Sequence, residues 1–168
     1  MFEKEKAAGG INTFELPEFR LPHEDVRFEV RLLEQLGVKF VYGVTFVENV
    51  DSTENINTTQ ISYRSLQSQG FSKFFLAFGH PSPIILDMFT PFGPAQGLYN
   101  SKEFLPITTI GSKPHLAALY PDNALPDFSN KRVIVLGGGD VAVDAATSSI
   151  RLGSKNVSIV FRKNTADM

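Results

Sequence analysis

The sequence predicts an α/β fold with parallel strands, and three observations carry this prediction. Residues 132–136 (RVIVL) form a short apolar run of the kind that makes a buried strand. Three glycines follow directly, and a helical pattern of small residues then extends from Asp140 to Leu152, where Gly153 stops it. A second apolar run, NVSIVF at 156–161, comes next. Strand, helix and strand in this order make a βαβ unit.

Earlier in the chain, the first predicted element is a helix that begins at Pro22 and ends at Gly37. Proline suits the first turn of a helix because its missing N–H would have no partner there. Residues 38–42 (VKFVY) then predict a strand. The helix carries an apolar stripe at i, i+4 and i+7, formed by Val26, Val30 and Leu33 and widened by Leu32 and Leu36.

The central part of the chain gives weaker signals. The polar residues 51–60 (DSTENINTTQ) predict a turn or hairpin, and residues 63–70 (YRSLQSQG) predict a short helix. Residues 73–79 (KFFLAFG) predict a buried strand that ends at a glycine. The proline-rich residues 80–130 predict a long irregular connection with one short helical piece near SKEFL. Because such connections often cross between domains, we expect a domain boundary there.

The turn between the two strands of the βαβ unit carries the strongest functional signal. Gly137-x-Gly139-x-x-Ala142 fits the G-x-G-x-x-G/A pattern of a Rossmann-like dinucleotide-binding fold. The pattern follows a strand and opens a helix, which is the context that supports nucleotide binding over a purely structural glycine turn. The predicted cofactor-binding residues at this turn are Gly137, Gly138, Gly139, Asp140 and Val141.

Asp140 has two interpretations. A carboxylate at a helix N-terminus is favourable to the helix dipole, so Asp140 could simply start the helix. Beside a bound pyrophosphate the same carboxylate would be repulsive unless it turned aside. We therefore expect Asp140 to meet the nucleotide through its backbone N–H.

Two cations follow the second strand of the unit. A fold that binds NAD places Asp or Glu at this position, whereas this chain has Arg162 and Lys163. Basic residues there favour the 2′-phosphate of NADP, with which arginine can form a forked contact. The alternative is that both cations only end the strand in solvent. The pattern favours NADPH as the cofactor.

Composition excludes several classes of function. A net charge of −2 gives no general attraction to nucleic acid, and no apolar stretch approaches the ~20 residues needed to span a bilayer. The N-terminal segment resembles neither a signal nor a transit peptide, so we expect a cytoplasmic protein without nucleic-acid or membrane partners. With no cysteine and three scattered histidines, the chain predicts no metal ligand, and no residue fits a catalytic acid or nucleophile.

Three segments resemble a family of flavoproteins. Residues 8–40 (AGGINTFELPEFRLPHEDVRFEVRLLEQLGVKF) are similar to glutamate synthase small subunits and dihydropyrimidine dehydrogenases. Residues 96–106 (QGLYNSKEFLP) and 133–163 resemble dihydropyrimidine dehydrogenase more closely, above all in DAATSSIRLG followed by VFRK. The resemblance implies a partial FAD-binding domain at 1–79, the connecting region at 80–130, and the first βαβ of an inserted NADPH-binding domain at 131–168. Both domains would be incomplete.

The resemblance also implies an activity. Hydride would pass from NADPH to FAD, and in dihydropyrimidine dehydrogenase electrons would continue through 4Fe-4S clusters to FMN, which reduces uracil or thymine in pyrimidine catabolism. The complete enzyme would be a homodimer, and this chain would be an inactive fragment without ligands for FMN or the clusters. The implied FAD-binding residues are Glu3, at the adenosine ribose, and then Lys4, Gly9, Gly10, Ile11, Arg20 and Phe46. The alternatives are a glutamate synthase small-subunit-like electron donor and a non-catalytic truncated nucleotide-binding module.

Overall fold

The structure is a computed structural model that describes residues 1–48, 59–79 and 82–162. It combines helices with short parallel strands, which is an α/β arrangement. In chain order the elements are α1 (Ile11–Phe14), α2 (His23–Gln35), β1 (Val44–Phe46), β2 (Thr59–Ile61), α3 (Tyr63–Ser68), two 3-10 turns (Asp87–Phe89 and Pro94–Gln96), α4 (Ser101–Ser112), α5 (Pro114–Leu119), β3 (Arg132–Leu136), α6 (Asp140–Arg151) and β4 (Asn156–Val160).

The chain divides into two compact units. The first comprises Met1–Gly10 and Glu24–Gly79, and the second comprises Ile11–His23 and the described part of His80–Met168. In the first unit β1 and β2 pair in parallel, with Val44 opposite Thr59 and Phe46 opposite Ile61. Its small core consists of Val44, Ile61 and Leu66, with Phe74 packed against them.

The second unit is built around β3 and β4. These strands pair in parallel from Arg132 opposite Asn156 to Leu136 opposite Val160, and α6 packs against both of them. Helix α6 also packs against α4, which in turn contacts α1 and α5. The buried residues of α6 are mostly small, so its axis can lie close to its neighbours; they are Ala142, Asp144, Ala146, Ser148 and Ser149.

The structure confirms the predicted βαβ elements and two of the predicted helices. β3, α6 and β4 lie where the apolar runs and the glycines placed them, and Gly153 ends α6 with a positive φ of 90°. Helix α2 follows Pro22 and ends before Gly37, whose φ is 94°. Helix α3 begins with a reciprocal cap in which the Ser62 and Ser65 side chains each accept from the other residue's N–H.

The predicted strand at 38–42 is wrong. Only Val41 forms a β-bridge, and its partner is Phe2. The pairing ends there because the next contact, from the Val44 N–H to the Glu3 carbonyl at 2.9 Å, already belongs to the start of β1. The short β1 itself was not predicted, because three residues are too few to show an alternating pattern.

The predicted buried strand at 73–79 is also wrong. The segment lies outside every strand of the structure, and 94% of the surface of Phe75 and 62% of that of Phe78 are exposed. Its apolar composition predicted burial, but a strand is buried only where a neighbouring strand and a covering layer exist. Among the described residues none supplies them.

The predicted turn or hairpin at 51–60 lies mostly outside the described residues. The strands on either side of residues 49–58, β1 and β2, pair in parallel.

The irregular connection predicted for 80–130 contains two α-helices instead of one short helical piece. Asn100 caps α4 by accepting from the Glu103 N–H at 3.0 Å, while the Glu103 carboxylate accepts from the Asn100 N–H at 3.2 Å. Pro114 occupies the first turn of α5, where proline costs no hydrogen bond. The density of prolines predicted an irregular segment, but Pro106 lies inside α4 and does not end it.

Candidate functional site

The candidate site is the glycine turn between β3 and α6. Gly137 has a φ of 126°, which residues with a side chain rarely adopt, and its N–H donates to the Val160 carbonyl at 2.9 Å. A Cβ built at Gly138 would lie 3.0 Å from the ring of Phe161, closer than most side chains approach a neighbour. The φ of Gly137 and the ring beside Gly138 therefore both favour glycine where the turn meets the end of β4.

Gly139 differs from its two neighbours. It caps α6 with an extended backbone (φ −89°, ψ 177°), and a Cβ built there would meet none of the described residues within 4 Å. Packing within the described part of the chain thus gives no reason for a glycine at this position. A close approach by a ligand would give one.

The N-terminus of α6 opens beside Gly139. Within the described part of the chain, the amides of Asp140 and Val141 have no hydrogen-bond acceptor, as is usual in a first helical turn. Both side chains are exposed, with 53% of Val141 accessible. Amides at the positive end of a helix can bind a phosphate group.

Arg162 lies at the same edge of the sheet as the turn. It is exposed and follows Phe161, the residue whose ring contacts Gly138. Because β3 and β4 are parallel, the ends of both strands meet at this edge. The second predicted cation, Lys163, lies outside the described residues.

Two carboxylates of α6 form ion pairs with Arg20, which the sequence did not predict. The Arg20 Nε donates to the Asp144 Oδ1 at 2.7 Å, and the Arg20 Nη2 lies 3.3 Å from the Asp140 Oδ1. Only 5% of the Asp144 side chain is exposed, against 93% for Asp140. The hydrogen bond to Asp144 and the charges of both carboxylates raise the pKa of Arg20 above its ordinary value.

The position of Arg20 follows from a local turn and from the helix beneath it. The Arg20 N–H donates to the Pro17 carbonyl at 2.9 Å, and the Leu21 N–H donates to the same oxygen at 3.1 Å. The neighbouring Phe19 ring lies 4.5 Å from the guanidinium carbon of Arg151, a cation–π distance. Residues 19 and 20 therefore contact both ends of α6.

A buried lysine anchors the segment that leads to Arg20. Lys113 has no exposed surface, and its Nζ donates to the carbonyls of Asn12 and Thr13 at 3.1 Å each. Burial lowers the pKa of Lys113, and the nearby charge of Glu18 acts in the opposite direction. Lys102 adds an ion pair to Glu15 at 2.7 Å.

Most of the residues that the resemblance assigned to FAD lie in the first unit. Glu3 donates its N–H to the Val41 carbonyl, and its carboxylate accepts from the Glu5 N–H at 3.0 Å. Phe46 ends β1, with its ring 5.5 Å from that of Phe78. Three of the others are exposed residues in the segment that ends this part of the unit: Lys4, Gly9 (φ 114°) and Gly10 (φ 53°).

The two remaining assigned residues belong to the second unit. Ile11 begins α1 and is 49% exposed, and Arg20 pairs with the carboxylates on α6. Thus the structure brings a residue assigned to FAD, Arg20, next to one assigned to NADPH, Asp140.

The described residues contain no group of three or more His, Cys, Asp or Glu side chains that could hold a metal ion. They also contain no helix that is both long and apolar enough to cross a membrane.

The known proteins to which the chain is similar include oxidoreductases. The chain is 28% identical over its whole length to a protein of Cereibacter sphaeroides named as a candidate glutamate synthase (NADPH) small chain. It is 26% identical, over 94% of its length, to the glutamate synthase (NADPH) small chain of Bacillus subtilis. It is also 26% identical over its whole length to the candidate oxidoreductase YgfK of Escherichia coli. The chain is related to these oxidoreductases.

The chain corresponds to a limited part of each relative. It spans 36% of the Cereibacter protein, 28% of the Bacillus protein and 14% of YgfK. No protein-family profile matches it. The relatives show that the chain is related to oxidoreductases, among them glutamate synthase small chains, and they give no specific support to dihydropyrimidine dehydrogenase, which the sequence resemblance had favoured.

Proposed function

We propose that this chain supplies the NADPH-binding turn and part of the FAD-binding surface of a flavoprotein oxidoreductase. The observation that carries the proposal is the turn before α6. Gly139 faces open space, two amides of the first helical turn are free of acceptors among the described residues, and a cation follows β4 at the same edge. Relatives named as NADPH-dependent small chains support the choice of cofactor.

The turn fits the pyrophosphate of NADPH. The amides of Asp140 and Val141 would hold its oxygens, and the absence of a side chain at Gly139 would let it approach the backbone. Arg162 and Lys163 would bind the 2′-phosphate. When bound, the nicotinamide supplies the hydride, and the protein's contribution is to place it against its acceptor.

The FAD part of the proposal is carried by the sequence resemblance. Glu3 would accept hydrogen bonds from the adenosine ribose, and Lys4, Gly9, Gly10 and Ile11 would follow the flavin nucleotide, with Phe46 at the adenine side. The extended backbone from Met1 to Glu3 and its bridge to Val41 support this reading, because Glu3 then follows a paired segment, as the ribose-binding acid of a dinucleotide fold does. The resemblance also assigned Arg20 to this nucleotide, but the structure pairs its guanidinium with Asp140 and Asp144.

The final electron acceptor has two candidates. The relatives favour a glutamate synthase small chain, which would pass electrons to a glutamine-dependent partner. The motifs DAATSSIRLG and VFRK favour dihydropyrimidine dehydrogenase, in which uracil or thymine would be reduced. Assaying the complete protein with NADPH and uracil, and separately with NADPH, glutamine, 2-oxoglutarate and the glutamine-dependent partner, distinguishes the two.

Replacing Arg162 by alanine tests the choice between NADPH and NADH. We expect the Kd for NADPH to rise about tenfold, since a charged hydrogen bond contributes about 1.5–3 kcal/mol, while the Kd for NADH stays unchanged. Isothermal titration calorimetry with both cofactors measures the difference.

The matched control is Lys155→Ala, which removes a cation just before the opposite end of β4. It is expected to change neither Kd. Equal losses for NADPH and NADH in Arg162→Ala would reject the assignment of Arg162 to the 2′-phosphate.

A further inference from the structure

We propose that Arg20 sets the anion affinity of the glycine turn by holding the Asp140 carboxylate back along α6. The inference rests on the proposed binding of NADPH at this turn. Arg20 would be a positioning residue, since it acts on the cofactor through Asp140.

The first step of the argument is the placement of the two carboxylates. Asp140 and Asp144 are four residues apart on α6, so their side chains lie on the same face and repel each other. Asp140 is also the first residue of the helix, beside the amides that would hold the pyrophosphate. Left alone, its exposed carboxylate could compete with the cofactor for those amides and repel it.

The second step is the geometry of Arg20. Its Nε is fixed by the buried Asp144 at 2.7 Å, and its Nη2 reaches Asp140 at 3.3 Å. A guanidinium can contact two acceptors in this way because its donors form a rigid fork, which an ammonium group lacks. The buried Arg20–Asp144 pair therefore fixes the guanidinium. The exposed Arg20–Asp140 pair then keeps the Asp140 carboxylate on the side of α6 that faces Asp144.

The third step is the support of Arg20 from outside α6. The turn at residues 17–21 and the stacking of Phe19 on Arg151 hold the backbone of Arg20 against the helix. Arg20 can thus keep its position when the cofactor arrives. This makes it a fixed positive charge beside Asp140, the first residue of α6.

The test is a double-mutant cycle between Arg20 and Asp140, with the Kd for NADPH measured by calorimetry. In the wild-type chain Asp140→Asn is expected to tighten binding by at most about twofold, because Arg20 already holds the carboxylate aside. Arg20→Gln is expected to weaken binding about tenfold, and adding Asp140→Asn to it to recover about fivefold. In 1 M salt these differences should shrink to about twofold or less, since the screening length falls to ~3 Å.

Arg20→Lys guards against a folding defect, because Arg20→Gln leaves the buried Asp144 unpaired. Lysine can still pair with Asp144 but lacks the fork, so Asp140→Asn in this background is expected to tighten binding about threefold. Arg132→Gln, which removes a cation from the start of β3, is the charge control and should leave the Kd unchanged.

The outcomes separate the inference from the proposed function. If Asp140→Asn has the same effect with arginine, lysine or glutamine at position 20, the two residues are not coupled and the inference is wrong, whereas the NADPH site stands. If the wild-type chain does not bind NADPH, the proposed function fails and the inference fails with it. The inference is supported if Asp140→Asn restores NADPH affinity in the Arg20→Gln background. If Arg20 had a purely structural role, a substitution at Asp140 would not restore that affinity.

Discussion

Replacing Gly139 by alanine is expected to raise the Kd for NADPH about 30-fold, since an extra methyl group against a closely packed partner costs about 1–3 kcal/mol. The described part of the protein has room for the new group, because a Cβ at Gly139 meets none of its atoms within 4 Å and the backbone there is extended. The loss of a glycine cap costs about 1 kcal/mol or less, so the melting temperature should fall by only a few degrees. Calorimetry and thermal denaturation measured on one preparation give both values.

Gly153→Ala is the matched control for this substitution. Gly153 ends α6 at the opposite end from the turn, and its φ of 90° disfavours any side chain. This variant should lose stability and keep its affinity for NADPH. An unchanged Kd in Gly139→Ala would contradict the proposal that a ligand uses the open space beside the turn.

Replacing Lys113 by methionine is expected to lower the free energy of unfolding by about 2–4 kcal/mol, since an unsatisfied buried polar group costs about 1–3 kcal/mol. The substitution keeps the length of the side chain and leaves the carbonyls of Asn12 and Thr13 without their donor. Urea denaturation followed by circular dichroism measures the loss. Lys102→Met, in α4 at an ion pair whose two side chains are 23% and 22% exposed, should cost about 1 kcal/mol or less.

Lys113→Met is also expected to change how the free energy of unfolding depends on pH. Burial lowers the pKa of Lys113 in the folded chain, so between that pKa and the ordinary lysine value of 10.5 the unfolded chain binds more protons than the folded one. The stability contributed by this group therefore rises with pH through that window. Wild type minus Lys113→Met should show this rise, and a flat difference would mean that Lys113 is not buried in the solution structure.

The part of the fold that the sequence predicted correctly is the part with local signals. RVIVL, the three glycines and NVSIVF each mark their own element, and the turn chemistry of Gly153 is independent of the rest of the chain. The apolar run at 73–79 has the same composition as a buried strand, but whether it pairs depends on residues far away in sequence. Local patterns carry no information about that partner.

The candidate site shows the same division. The glycine pattern located the turn, and the residues after β4 located Arg162. The role of Asp144 was missed, because its partner Arg20 lies 124 positions earlier in the chain. Spacing alone could have shown that Asp140 and Asp144 share a helix face and need a cation, but not which cation supplies it. Lys113 was missed for the same reason, since burial of a lysine is a tertiary property.

Both strand pairs that the structure describes run in parallel, and that has a consequence for how the chain acquires its structure. An antiparallel pair can close from a tight turn one residue at a time, whereas β3 and β4 can meet only after the chain has travelled back along the length of α6. The entropy of closing that loop must be overcome before any sheet hydrogen bond repays it. Formation of α6 shortens the loop between β3 and β4. Pairing of these two strands therefore depends on the same helix that would bind the cofactor.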